Sequence, residues 1–270
     1  MSSDKARSHG RAPLGLVIPA VITLVFLTLP IIAVVVRAPW TSVVDDLRSG
    51  DAATALRLSL QTTTCSALLC VVFGIPLAWL LARSEFNGKS AVRALVTLPL
   101  VLPPVVGGIA LLLALGRNGL VGGPLHDWFG ISLPFTTVAV VIAQTFVALP
   151  FMVISVEGTF RATDSRFDDA AATLGATRWQ TFRRVTLPLA GPGVLSGTVL
   201  SWARALGEFG ATVTFAGSFP GTTRTMPTAV YLGLQSGDPD VAIALSLVLI
   251  AVSIAILALL RDSWLSKVAP

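Results

Sequence analysis

Long apolar runs alternate with short polar segments along the whole chain. A membrane crossing needs about 20 mostly apolar residues. Six stretches reach that length: 14–36, 58–82, 94–115, 135–156, 191–215 and 241–260. The fifth is the least apolar because it holds Arg204 and Glu208. Prolines fall inside or beside several runs (Pro19, Pro30, Pro76, Pro103, Pro104). Membrane helices tolerate them, since neighbouring elements re-satisfy the freed backbone groups. The pattern predicts an all-α polytopic membrane protein with six transmembrane helices, forming one domain over 14–262 between a tail of residues 1–13 and a tail of residues 263–270.

Composition agrees with lipid as the main solvent. The 270 residues are 54% hydrophobic and 12% charged, with a mean hydropathy of +0.81, whereas soluble domains carry roughly 25% charged residues. The run after the basic opening "MSSDKARSHGRAP" is too long for a cleaved leader's apolar core and lacks a small-x-small cleavage site. It reads as an anchor that stays.

The positive-inside bias sets orientation. With the N-terminus in the cytoplasm, 13 of the 19 Lys and Arg residues fall on that side. Dropping the fifth span would place Arg261 and Lys267 outside, so six spans with both termini cytoplasmic is the predicted topology. The net charge of +5 is mostly this signal, and no nucleic-acid partner is called for. Among the outer segments, 37–57 reads as a short amphipathic surface helix, and 217–240 as a long loop with a short helix in it. Cys65 and Cys70 share one apolar run, and His9 and His126 lie far apart, so the sequence offers neither a disulfide nor a metal cluster. No Ser-His or zinc-protease pattern suggests an enzyme.

The largest inner segment, 157–190, contains "DAAATLGATRWQTFRRVTLP". Ser165 and Asp168 have capping-box spacing, the alanines favour helix, and Gly175 permits a sharp turn or a close backbone approach. Trp179, Phe182 and Val185 then follow at helical spacing. Physics alone leaves two readings, a helix lying on the headgroups or a docking element for a cytoplasmic partner. The segment resembles the "EAA" loop of ABC-importer permeases through Asp169, Ala170, Ala171, Gly175, Leu187 and Pro188, with Asp169 where Glu is usual. That resemblance implies a type I importer permease fold, with residues 169–175 and Arg178 as an ATPase-coupling helix. "FNGKS" (86–90) looks like the tail of a phosphate-binding loop, but Arg83 stands where the first glycine is required. It reads as a basic turn, so no cofactor is expected on this chain. The same resemblance implies that ATP and Mg belong to a separate ATPase subunit.

In "SWARALGEFGATVTFAG" (201–217), Arg204 and Glu208 are four residues apart, on one helical face. A charge at mid-bilayer costs about 2.5–3.5 kcal/mol on insertion scales, so the pair should face protein or a wet cavity. It either neutralises itself to fix packing or lines an anion path. Gly193, Gly197, Ser201 and Ala205 form a small-residue ridge, for packing within the chain or between two copies. This stretch, with "LPLVLPPVVGG" (98–108) and "PGTTRTMPTAVY", resembles molybdate-importer permeases, and sulfate and thiosulfate permeases share its "ALGEFGA" core. The resemblance implies alternating-access import of an oxyanion by a homodimer working with ABC ATPase subunits and an extracytoplasmic molybdate-binding protein. Its pathway would run past Pro103, Pro104, Gly107, Gly108, Arg204, Gly207 and Glu208, with 103–108 as a bend or gate. The alternatives are sulfate, thiosulfate or tungstate as cargo, or an ion-coupled secondary transporter. The latter would need mid-membrane ion ligands, and Glu208 is the only acid well inside a span.

Overall fold

The computed structural model describes residues 14–41 and 50–265. Residues 1–13, 42–49 and 266–270 lie outside them, and with them the N-terminal tail, the middle of the predicted surface helix and the end of the C-terminal tail. Among the described residues the chain is helical. Its elements are α1 (Leu14–Val36), α2 (Gly50–Arg83), α3 (Lys89–Val101), α4 (Pro104–Leu115), α5 (Gly122–Phe129) and α6 (Thr137–Ala162), followed by α7 (Arg166–Thr173) and α8 (Arg178–Thr181). A π-helical turn (Phe182–Thr186) leads into α9 (Leu187–Leu189), α10 (Gly191–Leu206), α11 (Gly210–Ala216), α12 (Met226–Gln235) and α13 (Pro239–Leu265).

Among the described residues, four helices (α1, α2, α6 and α13) are long and apolar enough to cross a membrane. The predicted third span is not one continuous helix but bends at Pro103 and Pro104, where the sequence places a bend. It breaks after Val101 into α3 and α4, bent by 119°, because Pro103 and Pro104 cannot donate the backbone bonds that would carry the helix through. The predicted fifth span is likewise split, into α10 and α11, with Gly207, Glu208 and Phe209 between them. Two boundaries also move. Residues 50–57, assigned to the surface helix, form the first turns of α2, and α6 runs on to Ala162, past the predicted end at 156.

The core is built on α6. Its start is fixed by Thr136, whose hydroxyl accepts the Ala139 N–H at 3.2 Å, which satisfies one of the free donors of the first turn. Polar side chains within the spans mostly bond to their own helix: Thr62, Thr145 and Thr159 each donate to a carbonyl four residues back. Such bonds spare a hydroxyl the cost of burial unpaired. α2 runs parallel to α6, as three contacts at nearly constant offset show. Thr145 donates to the Ser66 hydroxyl at 3.1 Å, Gly74 lies against Met152, and Arg83 donates to the Thr163 carbonyl. α10 runs antiparallel on the next face, with Gly193 against Thr159, Gly197 against Met152 and Ser155, and Ser201 donating to the Ala148 carbonyl at 3.2 Å.

The small-residue ridge is therefore spent inside the chain. Without a hydrophobic force between helices in lipid, close backbone approach supplies the packing energy, and a Cβ at Gly193 would overlap the Thr159 side chain. At the far end of the bundle, the Met226 N–H donates to Ser59 at 2.7 Å and Arg224 reaches Asp51 at 3.9 Å, tying 217–240 and its helix α12 to the start of α2. The expected short helix in that loop is present. Gly193→Val is expected to destabilise the purified protein by about 1–3 kcal/mol through overpacking. Gly158→Ala, on the same helix as Thr159 with open space at its Cβ, should leave thermal unfolding in detergent unchanged or slightly raised.

Candidate functional site

The segment after α6 folds as a helical hairpin. The predicted Ser165–Asp168 capping box does not form. Ser165 is at the N-cap without a side-chain bond, and Asp164 takes its place by accepting the Arg166 N–H at 2.9 Å. Asp168 is drawn elsewhere, to the Thr186 hydroxyl at 2.8 Å and to Arg83 at 3.6 Å. A true capping box lies one turn of chain later, between Thr177 and Gln180, with both reciprocal bonds made. Its Thr-x-x-Gln spelling was legible in the sequence.

Gly175 closes α7. Its φ is +80°, its N–H bonds the Ala172 carbonyl at 2.9 Å, and the Ala176 N–H bonds the Ala171 carbonyl at 3.0 Å. This double closure needs a left-handed residue, which glycine adopts without strain. No atom lies within 4 Å of where a Cβ would stand, so within this chain the glycine serves the turn, not a close approach. Asp169, Ala170, Ala171, Gly175 and Arg178 thus lie on one hairpin, and only Ala171 among them is half-buried. Around them stand apolar side chains that the chain itself leaves uncovered: Leu174 is 88% exposed, Trp179 67% and Phe167 54%. Between the hairpin and the end of α2 is a cavity of about 500 Å³ lined by Trp79, Arg83, Asp168, Asp169, Arg178 and Phe182, among others.

Cations at this end of the bundle act as staples. Glu157 is nearly buried and takes Arg93 at 2.6 Å and Arg161 at 2.9 Å, joining α3 to α6. Arg161 also reaches the Leu81 carbonyl at 3.4 Å. The 86–90 segment is the expected basic turn. Gly88 has φ +89°, and Lys89 opens α3 while bonding Glu85 at 2.8 Å. That hydrogen bond and charge hold the Glu85 carboxyl below its ordinary range. The sequence reading had counted these basic residues only as an orientation signal and missed their carboxylate and carbonyl partners. Glu157, an isolated acid close to Arg161, was the available clue.

The pathway candidates converge from two separate stretches. α4 crosses α11 at two glycines: Gly108 lies against Ala211 and Thr214, and Gly210 against Pro104 and Val105. Gly107 packs on Phe146. The bend at Pro103 and the break at Gly207 are therefore neighbours. Glu208, 1% exposed, pairs with Arg204 at 2.6 Å through one oxygen and accepts the Ala211 N–H at 2.8 Å through the other. One carboxylate thus neutralises the cation and caps α11. Arg204 keeps 27% of its side chain accessible. Gln144, absent from the sequence-based candidates, sits on α6 one turn from Ala148, which meets α10, and one turn from Val140, which packs with α11. Both of its carboxamide atoms are buried without a partner.

Comparison with known proteins matches this arrangement. The family model described as the binding-protein-dependent transport system inner membrane component matches residues 74–267. The molybdenum transport system permease protein of Mycobacterium tuberculosis is 50% identical over 241 residues, spanning 89% of this chain and 90% of the relative. Its counterpart in Escherichia coli K12 is 43% identical, spanning 80% and 93%. In fold, the chain resembles a bacterial ABC transporter involved in the import of the acidic polysaccharide alginate, at a TM-score of 0.75 and 20% identity over 94% of this chain and 95% of that one. It also resembles the MetNI methionine ABC transporter, at a TM-score of 0.61 and 19% identity over 81% and 97%. The chain belongs to the family of binding-protein-dependent ABC transport inner membrane components.

Proposed function

We propose that this chain is the membrane-spanning permease of an importer that moves the oxyanion molybdate across the cytoplasmic membrane by alternating access. Two copies would form the pathway, with an extracytoplasmic binding protein delivering the anion at the end formed by 217–240. ATP and Mg would act on separate ATPase subunits at the other end, which faces the cytoplasm together with both termini. The observation that carries the reading is the hairpin of α7 and α8: capped at both helices, set on polar loops, and presenting Phe167, Leu174 and Trp179 to solvent. An apolar patch of this kind marks a protein or membrane contact, and the resemblance to the importer coupling loop favours the protein. The choice of molybdate rests on the names of the relatives, and sulfate is the cargo to test against it.

The resemblance placed Asp169, Ala170, Ala171, Gly175 and Arg178 in the coupling element, and their common hairpin supports that role. Force applied there would reach the crossing of α4 and α11, where the chain is already broken and no regular helix has to be melted. Arg204 offers a passing anion a single, partly cancelled positive charge, which favours entry without holding a dianion against release. Gln144, buried beside the break, adds donors that an anion could use once the break opens.

Three outcomes test this. In a strain lacking the gene, cellular molybdenum at low external molybdate should fall and be restored by the intact gene, with excess sulfate failing to compete. Sulfate competing as an equal would assign the wider oxyanion class. Gly175→Trp meets open space at its Cβ but strains the left-handed turn, a local cost of about 1–2 kcal/mol, so its level in the membrane is measured alongside. At normal level it should still sever uptake from ATP hydrolysis, and normal transport by that variant would remove the hairpin from the mechanism. For the charge pair, Arg204→Gln strands a buried carboxylate and should cost about 3–5 kcal/mol of stability. The double variant Arg204→Gln with Glu208→Gln strands none and should fold. Its uptake per assembled complex should then drop about tenfold, the loss of one charge-assisted contact. Unchanged uptake in the double variant would reduce the pair to a packing device.

A further inference from the structure

The coupling hairpin is tied to the bundle in an unexpected way. In sequence α7 follows α6, yet none of its side chains is buried, and the cavity of about 500 Å³ separates it from the end of α2. Among the described residues, the hydrogen bonds and ion pairs that leave α7 for an element not adjacent to it in sequence all end on one side chain, Asp168. One oxygen accepts the hydroxyl of Thr186, which is 1% exposed in the π-helical turn. The other faces Arg83 at 3.6 Å, and the side chains of that pair are only 16% and 27% accessible. Arg83 in turn donates to the Thr163 carbonyl at 3.1 Å, at the end of α6. A push on α7 therefore has little packed surface through which to act, and a short polar strut instead.

We propose that Arg83 is a positioning residue for coupling: the Arg83–Asp168–Thr186 strut carries movement of the hairpin into α2 and α6. This inference rests on the importer reading above. Two properties suit the strut to the task. The cavity beside it leaves the hairpin room to move toward α2, and a charge-assisted contact in a half-buried site keeps its geometry better than an exposed ion pair would. The π-turn widens the helix at Thr186, and such bulges often mark functional positions in helices. Because α2 packs along α6 over most of its length, displacement of Arg83 reaches the helix on which α10 is seated.

The test uses the full transporter, permease with its ATPase subunits and binding protein, in proteoliposomes. Arg83→Gln should still copurify with the ATPase and hydrolyse ATP, while molybdate taken up per ATP falls about tenfold, the size expected for losing the charge-assisted hydrogen bond to the Thr163 carbonyl together with the ion pair to Asp168. Arg83→Lys, which keeps the charge, should recover part of the loss, and Asp168→Asn should reproduce it. Hydrogen exchange gives a readout that does not depend on cargo: trapping the ATP-bound state should alter exchange over 79–88 in the unmodified transporter, and Arg83→Gln should abolish that change. Uptake per ATP and exchange both equal to the unmodified protein would overturn the strut, as would a loss of uptake that only tracks the amount of assembled complex. If the unmodified transporter imports no molybdate, the cargo reading fails instead, and the exchange measurement alone decides the strut.

Discussion

The contact on which the structure depends is the seat of α10 on α6. Apolar side chains gain nothing by leaving lipid for one another, so helices hold together only where backbones come close enough for dense contact and short polar bonds. Gly193, Gly197 and Ser201 provide that closeness along α6. Once α10 is seated, its break at Gly207 falls beside α4, and Gly108 and Gly210 bring α4 and α11 together. The pathway candidates are thus assembled by packing that was set several turns away.

A broken helix in a membrane exposes backbone groups that must find partners in the protein. Glu208 answers this at α11 by accepting the Ala211 N–H while it neutralises Arg204. One acidic side chain serves two demands that lipid makes at once, and this favours keeping a charge pair at a depth where single charges are costly. At the hairpin, where water is near, the same backbone problem is solved by turn chemistry: a left-handed glycine closes α7, and the Thr177–Gln180 box opens α8.

The helical class and four of the crossings could be read from apolar length alone, because a span is a one-dimensional requirement. The Arg204–Glu208 pair could also be read, since four-residue spacing fixes a face. The bend at Pro103 is legible from its Pro-Pro and Gly-Gly pairs rather than from apolar length, and the break at Gly207 from neither. Hydropathy averages over Pro103 and Gly207, whereas the break depends on which backbone donors are missing and what caps the next helix. The ridge at Gly193 and Gly197 was visible, but whether it met another helix of the same chain was a question of tertiary structure. Asp168 shows the limit most plainly. Its position beside Ser165 suggested a local cap, yet Arg83, 85 residues earlier, and Thr186 drew it away. Long-range charge pairing overrode local spacing there, whereas at Glu157 it added Arg93 to a local pair with Arg161.

In the proposed mechanism a partner's ATP hydrolysis, acting through the hairpin, drives an oxyanion through this chain. The most direct measurement is molybdate accumulation in proteoliposomes holding the permease, its ATPase and its binding protein, with no ion gradient imposed. The account predicts accumulation that requires ATP on the ATPase side and stops when either partner is omitted. Accumulation by the permease alone, driven by a proton or sodium gradient without ATP, would contradict it.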